Sequence, residues 1–106
     1  MKHRYRHQLA HTHSLQLLEQ ALDYDPIYAG ALNLKAGVLL MLQRYHEALK
    51  ASQGAIILAP EVANAWINMG TALRLLDRPA EAAECFRKAS ILGDKRGDKS
   101  LSDMEL

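Results

Sequence analysis

Cysteine and long apolar runs are scarce in this chain of 106 residues. A single cysteine, Cys85, excludes a disulfide within the chain and a zinc site built from several thiolates. No apolar run reaches the roughly 18 residues that a membrane helix requires, and the start of the chain lacks the apolar core of a signal peptide. We therefore expect a soluble, cytoplasmic protein that does not enter a membrane.

An excess of charge of one sign is also absent. The formal net charge is +1, so composition gives no electrostatic reason to expect nucleic acid or an anionic membrane as a partner. Positive charge is concentrated in residues 1–13, where Lys2, Arg4 and Arg6 occur without an acidic residue. These cations with one aromatic neighbour, Tyr5, make a weak nucleic-acid signature. We predict that no nucleic acid is bound.

The same first 13 residues hold four of the five histidines. His3, His7 and His11 follow one another at intervals of four residues, so one face of a helix would carry all three. Pairs of histidines at this spacing can hold a zinc or nickel ion, but no Asp, Glu or Cys lies within this segment to complete the ligand set. We favour a solvated segment over one with adventitious metal affinity, and we predict neither a functional metal site nor a cofactor.

Residues for catalysis are missing from any recognisable arrangement. Gly93 and Gly97 fit neither a phosphate-binding loop nor a dinucleotide-binding loop. Cys85 precedes Phe86 on a helix that is expected to pack inward, which favours an inert, buried thiol over a nucleophile. We therefore predict that the chain is not an enzyme.

The sequence does contain an internal repeat. Residues 27–60 and 61–94 share ten identities in 34 aligned positions, and Pro26 lies the same distance before Pro60. Each unit carries two apolar stretches with helical spacing, separated by a break such as LDRP at 76–79, so we predict two helices per unit. The identical pairs are Ala29 and Ala63, Ala31 and Ala65, Leu39 and Leu73, Leu42 and Leu76, Arg44 and Arg78, Glu47 and Glu81, Ala48 and Ala82, Ala55 and Ala89, Ile57 and Ile91, and Leu58 and Leu92.

Small and large residues recur at fixed positions of the units. Gly70 on the first helix and Ala82 on the second, with alanine at both equivalent positions of the earlier unit, would let two antiparallel helices approach closely. Trp66 and Phe86 would fill the space beside them. Leucine at Gly70 or Ala82 is expected to lower the stability by about 1–3 kcal/mol.

These positions resemble the signature of the tetratricopeptide repeat, a 34-residue helix–turn–helix unit with the pattern W-x2-L-G-x2-Y, A-x3-F, A and P. Residues 66–94 match this pattern best, residues 29–60 match it more weakly, and a partial copy precedes both. The resemblance implies an all-α fold, a right-handed α-solenoid of stacked antiparallel helix pairs with about 2.5 repeats. The matching residues of the last unit are Trp66, Met69 in place of Leu, Gly70, Leu73 in place of Tyr, Ala82, Phe86, Ala89, and Asp94 in place of Pro.

The repeat boundaries predict a single domain with a short C-terminal extension. Tyr5 falls where the first helix of a unit carries its tyrosine, and Ser14 and Leu18 fall on the second helix, so we expect an incomplete first repeat. The extension is polar and would form either a tail or a short capping helix, with Gly93 and Gly97 marking breaks before it. The expected segments are 1–26 for the partial first repeat, 27–60 for the second and 61–94 for the third, which make one domain over 1–94, and 95–106 for the extension.

In this family the first helices of successive units line a concave groove that holds a peptide or a partner helix. The resemblance implies a groove of amides, small residues and aliphatic side chains, with Arg74 as its only cation.

Chaperone-binding members grip a peptide C-terminus with a carboxylate clamp of Lys, Asn and Arg. Asn68 occupies the clamp's Asn position, but Asn33, Gly37 and Asn64 stand where Lys or a second Asn is expected, so a peptide ending in EEVD is a poor candidate ligand. Asn68 better resembles the asparagine ladder of some long arrays, in which the amide pairs with a peptide backbone in both directions. The residues carried over to the groove are Asn33, Gly37, Leu40, Met41, Asn64, Ile67, Asn68, Thr71, Arg74 and Leu75.

We predict a non-catalytic protein–protein interaction module whose partner is a protein or peptide bound in this groove. Two alternatives stay open. The incomplete first repeat could stack on another copy, which would make the chain a self-associating, homo-oligomeric scaffold. The residues could instead be the repeat region of a larger enzyme such as a bacterial transferase. The sequence names neither the partner nor the pathway.

Overall fold

The structure is a computed structural model that describes the backbone of residues 2–25 and 27–104 and the side chains of residues 8–25 and 27–104. These residues form six α-helices and no strand. The predicted all-α fold of stacked helix pairs is therefore confirmed. The helices are α1 (Lys2–Tyr24), α2 (Ala29–Met41), α3 (Tyr45–Leu58), α4 (Ala63–Leu75), α5 (Pro79–Ile91) and α6 (Lys95–Met104).

Each complete unit is a pair of adjacent helices. Helix α2 packs against α3, and α4 packs against α5. Only three residues separate the two helices of each pair, and such short connections join antiparallel neighbours. The pairs stack because α1 packs on α2, α3 on α4, and α5 on α6. Helix α2 also contacts α4, so the first helices of the two units lie side by side and share one surface.

The connections after α2, α4 and α5 turn the chain in the same way. Gln43, Asp77 and Gly93 each have a positive φ, of 60°, 60° and 94°. After α4, the backbone N–H of Arg78 donates to the oxygen of Leu73 at 2.9 Å, and equivalent hydrogen bonds close α2 and α5. This is the Schellman arrangement, which ends a helix with one left-handed residue. The recurring turn sends each following helix back along the one before it.

Small residues mark the places where helices cross, as the repeat pattern predicts. Ala36 and Ala82 are fully buried. Gly70 is also buried, and a Cβ added to it would stand 2.6 Å from Cε1 of Phe86. Phe86 is the largest of the fully buried side chains among the residues whose side chains are described. Gly70 therefore lies where α4 and α5 come close, as predicted, and Ala82 is buried.

Helix α1 differs from the second helices of the later units because it runs without a break. Tyr5 lies in the same helix as Ser14 and Leu18 rather than on a separate first helix, although the Tyr5 side chain is outside the described part. Residues 8–10 stand where the later units turn, and their sequence Gln-Leu-Ala is made of strong helix formers. Helix α1 packs on α2, with Leu15 buried. Pro26 lies outside the described residues.

Residues 95–104 form helix α6, which continues the stack on α5. Gly97 was expected to interrupt the chain before any helix; instead it lies buried within α6. A Cβ at Gly97 would stand 2.5 Å from the backbone oxygen of Phe86, so glycine allows α6 to approach α5 closely. Leu101 and Met104 pack against the core from the same helix. The expectation failed because a glycine in a polar segment indicates a helix break. Only the structure shows that this glycine instead packs against a neighbouring helix.

Candidate functional site

Asn33 on α2 and Asn68 on α4 meet where the two first helices lie side by side. Nδ2 of Asn68 donates to Oδ1 of Asn33 at 2.8 Å and to the backbone oxygen of Asn33 at 3.2 Å. Gly37 lies one turn further along α2, where an added Cβ would stand 4.0 Å from Nδ2 of Asn68. The structure thus brings three of the predicted groove residues together, and the glycine leaves the space beside the amide pair open.

The amide pair keeps hydrogen-bonding capacity for a ligand. An asparagine side chain offers one oxygen acceptor and two N–H donors. Oδ1 of Asn68 and Nδ2 of Asn33 have no hydrogen-bond partner among the described residues, and neither atom is sealed from solvent. One free acceptor and one free donor group complement the N–H and C=O of a peptide backbone. The arrangement differs from an asparagine ladder, because the NH2 group of Asn68 is already held by Asn33.

The C-terminal helix extends this surface, which sequence reasoning missed. Nη2 of Arg96 on α6 donates to Oδ1 of Asn64 on α4 at 2.8 Å, and Arg96 also pairs with Asp94. The hydrogen bonds from Arg96 hold the pKa of the Asp94 carboxyl below its usual range. A signal was present in the sequence, since Gly97 lies 34 residues after Ala63, in register with the start of the preceding first helix.

Two of the predicted aliphatic groove residues lie at one end of the first helices and are open to solvent. Met41 and Leu75, which end α2 and α4, are both exposed. Leu34 on α2 is exposed as well, and its position in the repeat is that of Asn68 on α4. Leu34 was not among the predicted site residues. These side chains can receive apolar side chains of a partner.

The other predicted groove residues have different surroundings. Ile67 is buried in the core, and Leu40 is half-buried against the core. Both side chains therefore pack beneath the groove surface. The hydroxyl of Thr71 donates to the backbone oxygen of Ile67 in its own helix at 2.8 Å. Arg74 is exposed in the last turn of α4 and makes no ion pair among the described residues. Arg74 is therefore a cation that a ligand can reach.

The described residues also bear on three other features, namely a metal site, a reactive cysteine and a membrane-spanning helix. No three His, Cys, Asp or Glu side chains within the described ranges come together as metal ligands, while His3 and His7 lie outside the described side chains. Burial, with help from Glu81 and Glu84, raises the pKa of the Cys85 thiol to about 11, so the thiol is protonated at neutral pH. Within the described ranges, no helix combines the length and the apolar character that a membrane span requires.

Acidic residues on the second helices form exposed ion pairs that repeat with the units. Arg44 bonds to both carboxylate oxygens of Glu47, and Arg78 bonds in the same way to Glu81. The hydrogen bonds from the two arginines lower the pKa of both carboxyls. Exposed pairs of this kind contribute little to stability, so these residues read as a solvated face.

The model of the tetratricopeptide repeat family matches residues 63–90. Among solved structures, the chain is similar to MamA residues 41–end from Desulfovibrio magneticus RS-1, with 23% identity, a TM-score of 0.83 and 90% of this chain covered. The chain spans 55% of the length of that protein. The Arabidopsis OM64 TPR domain is similar with 23% identity, a TM-score of 0.81, and coverage of 84% of this chain and 75% of that one.

The second TPR domain of human RPAP3, solved in complex with the HSP70 peptide SGPTIEEVD, is similar as well. It shares 27% identity with a TM-score of 0.79, and the match covers 84% of this chain and 76% of that one. No curated protein sequence matches the chain significantly. The matched repeat at residues 63–90 and the stacked helix pairs that the chain shares with solved TPR domains show a tetratricopeptide-repeat-like fold.

Proposed function

We propose that the chain is a protein-interaction module that binds an extended peptide along the surface of its first helices. The observation that carries this proposal is the Asn33–Asn68 amide pair, which is fixed by its own hydrogen bonds and still offers a free acceptor and a free donor group beside Gly37. Such an arrangement matches the backbone of a peptide of any sequence. Apolar contacts at Met41 and Leu75 would add preference for certain side chains.

The expected ligand contacts the groove mainly through its backbone and apolar side chains. Arg74 is the one predicted groove residue with a positive charge, and the Arg96 cation beside Asn64 is already paired with Asp94. Carboxylates bind best where several unpaired cations converge. We therefore expect the peptide SRMEEVD, which a TPR domain of RPAP3 binds, to bind this chain more weakly than an uncharged peptide.

Groove binding is tested with peptides selected from a random display library against the immobilised chain. The double variant Asn68→Ala/Arg74→Ala should weaken binding of the selected peptides by about tenfold or more, because it removes a positioned amide and the accessible cation. Isothermal titration calorimetry gives the dissociation constants. Unchanged affinity in the double variant would rule out the groove as the binding site.

The matched control is Gln53→Ala. Gln53 is a polar residue exposed on α3, a second helix that carries none of the predicted groove residues. This variant should bind the selected peptides as tightly as the unmodified chain. A loss of affinity in this control equal to that of the double variant would show that general destabilisation, not the groove, accounts for the effect.

A second candidate function is self-association, and the exposure of Leu17 favours it. Leu17 on α1 is 53% exposed, whereas Ala51 and Cys85, at the same position of the later units, are 6% and 4% exposed. Ser14 is likewise exposed where the later units have a fully buried alanine. In the described part of the chain no first helix lies against this side of α1. A helix of a second copy is the occupant that we propose.

Sedimentation velocity tests this candidate. The unmodified chain should form a dimer or larger species at about 100 μM, and Leu17→Glu should shift it to monomer because the charge cannot be buried at the contact. Ile57→Glu, an exposed position on α3, serves as the control and should leave the sedimentation coefficient unchanged. A strictly monomeric unmodified chain would end this candidate.

A further inference from the structure

Two pockets lie at equivalent places in the two complete units, away from the groove residues. One lies between α4 and α5 with a volume of about 540 Å³, and the other lies between α2 and α3 with a volume of about 440 Å³. Trp66, Glu84 and Cys85 line the first pocket, which we call the Trp66 pocket. Every residue that lines the second pocket has its counterpart 34 positions later in the Trp66 pocket. The repeat therefore places a pocket at the same position of both units.

The two pockets differ in chemistry although equivalent positions of the repeat line them. In the Trp66 pocket, Met69 and Glu84 stand where Lys35 and Lys50 line the earlier pocket, and the aromatic ring replaces Leu32. The Trp66 pocket is thus lined by two carboxylates and one amine, whereas the earlier pocket is lined by two amines and one carboxylate. Of these two pockets, only the Trp66 pocket has an aromatic face, and such a face can accept a cation.

The Trp66 ring is held in place and its face accepts a positive charge. Nε1 of Trp66 donates to the backbone oxygen of Pro60 at 2.8 Å, which fixes the indole orientation. Nζ of Lys88 lies over the ring, 6.0 Å from its centroid. This distance is at the outer limit of a cation–π contact, so the lysine marks a position that a better placed cation could occupy.

A carboxylate oxygen is free at the rim of the same pocket. Oε1 of Glu84 accepts a hydrogen bond from Arg87 at 2.8 Å, while Oε2 has no partner among the described residues. The Glu84 side chain is largely exposed, so a ligand can reach Oε2. Glu81, by contrast, has both oxygens bonded to Arg78. The available hydrogen-bond acceptor at the rim is therefore Glu84.

We propose that the Trp66 pocket is a second binding site, for an arginine side chain of a protein partner. The guanidinium lies over the Trp66 ring in place of the Lys88 amine and donates to Oε2 of Glu84. The aliphatic stem of the arginine packs on Met69 and on the neutral Cys85 thiol. Arginine suits this position better than lysine because its planar group stacks on an aromatic face and hydrogen-bonds at the same time.

The test uses a capped Gly-Gly-Arg-Gly-Gly peptide and its citrulline counterpart, which has nearly the same shape but no charge. Trp66 is the only tryptophan of the chain, so its fluorescence and its indole N–H signal report on the pocket directly. The arginine peptide should change both signals with a dissociation constant in the range of about 1 mM, and the citrulline peptide should bind at least about fivefold more weakly. Equal affinity of the two peptides would overturn the proposal.

Two variants separate a cation site from a general apolar pocket. Glu84→Gln should weaken binding of the arginine peptide several-fold, whereas Lys88→Ala should strengthen it because the competing amine is gone. Both residues are exposed on α5, and circular dichroism checks that each variant is folded. Unchanged or weaker binding by a folded Lys88→Ala variant would contradict the proposal. Asn68→Ala should leave arginine binding unchanged, so failure here and failure of the groove proposal are distinguishable.

Discussion

Replacing Phe86 by alanine should lower the free energy of unfolding by about 3–5 kcal/mol, the range for removing a buried aromatic ring. The Phe86 side chain is 0% exposed. Its ring lies against the backbone of Gly70 on α4, and its backbone oxygen lies beside Gly97 on α6. The substitution thus leaves a cavity between α5 and α4. Because a small domain is stable by only about 5–15 kcal/mol, the variant should be partly unfolded at 37 °C.

Urea denaturation followed by circular dichroism measures this effect. Ile91→Ala is the matched control, since Ile91 is a large apolar residue on the same helix but is exposed. Its loss should stay within about 0.5 kcal/mol. Losses of similar size in the two variants would mean that Phe86 does not occupy the centre of the core.

The second large effect is expected for Gly70→Ala, which should lower the free energy of unfolding by about 1–3 kcal/mol. Alanine within a helix is favoured over glycine by about 1 kcal/mol, so intrinsic propensity alone would stabilise the variant. The new Cβ, however, would stand 2.6 Å from Cε1 and 2.9 Å from Cδ1 of Phe86. Since that ring is fully buried, it cannot move aside without disturbing its neighbours. The clash therefore outweighs the propensity.

Gly54→Ala is the matched control for this prediction. Gly54 lies within α3, and its added Cβ would meet only the end of the Leu32 side chain, at 3.4 Å. The control should therefore gain about 0.5–1 kcal/mol from helix propensity. Combining Gly70→Ala with Phe86→Leu should cancel part of the loss, because the two sites share one space. Additive losses in chemical denaturation would refute the contact between Gly70 and Phe86.

The helix pairs could be predicted because each repeat is a local pattern with a fixed period. The signals that predict the helices lie within short stretches of sequence. They are the spacing of apolar residues, the turn at LDRP and the position of Pro79 at the start of α5. The crossing could also be predicted, because a small residue at Gly70 is needed only where another helix comes close. The earlier unit fills the equivalent crossing with Ala36 and Ser52, both fully buried. In that unit Ala36 is larger than Gly70, and Ser52 is smaller than Phe86, so the two changes compensate each other.

The hydrogen bonds of the groove could not be predicted, because they join residues of different units. The bond from Asn68 to Asn33 depends on the rotation of α4 relative to α2, which one-dimensional spacing does not contain. The contact between Arg96 and Asn64 depends on whether α6 docks on the stack. The uninterrupted course of α1 likewise reflects helix-forming residues at a position where the later units turn.

The most direct test of the groove is nuclear magnetic resonance of the asparagine side chains during titration with a selected peptide. The side-chain NH2 signals of Asn33 and Asn68 should shift most strongly, because the free donors of Asn33 and the free oxygen of Asn68 gain partners. The signal of Arg74 should move with them. Shifts confined to α1 or to the Trp66 indole, with the two amides unchanged, would contradict binding in the groove.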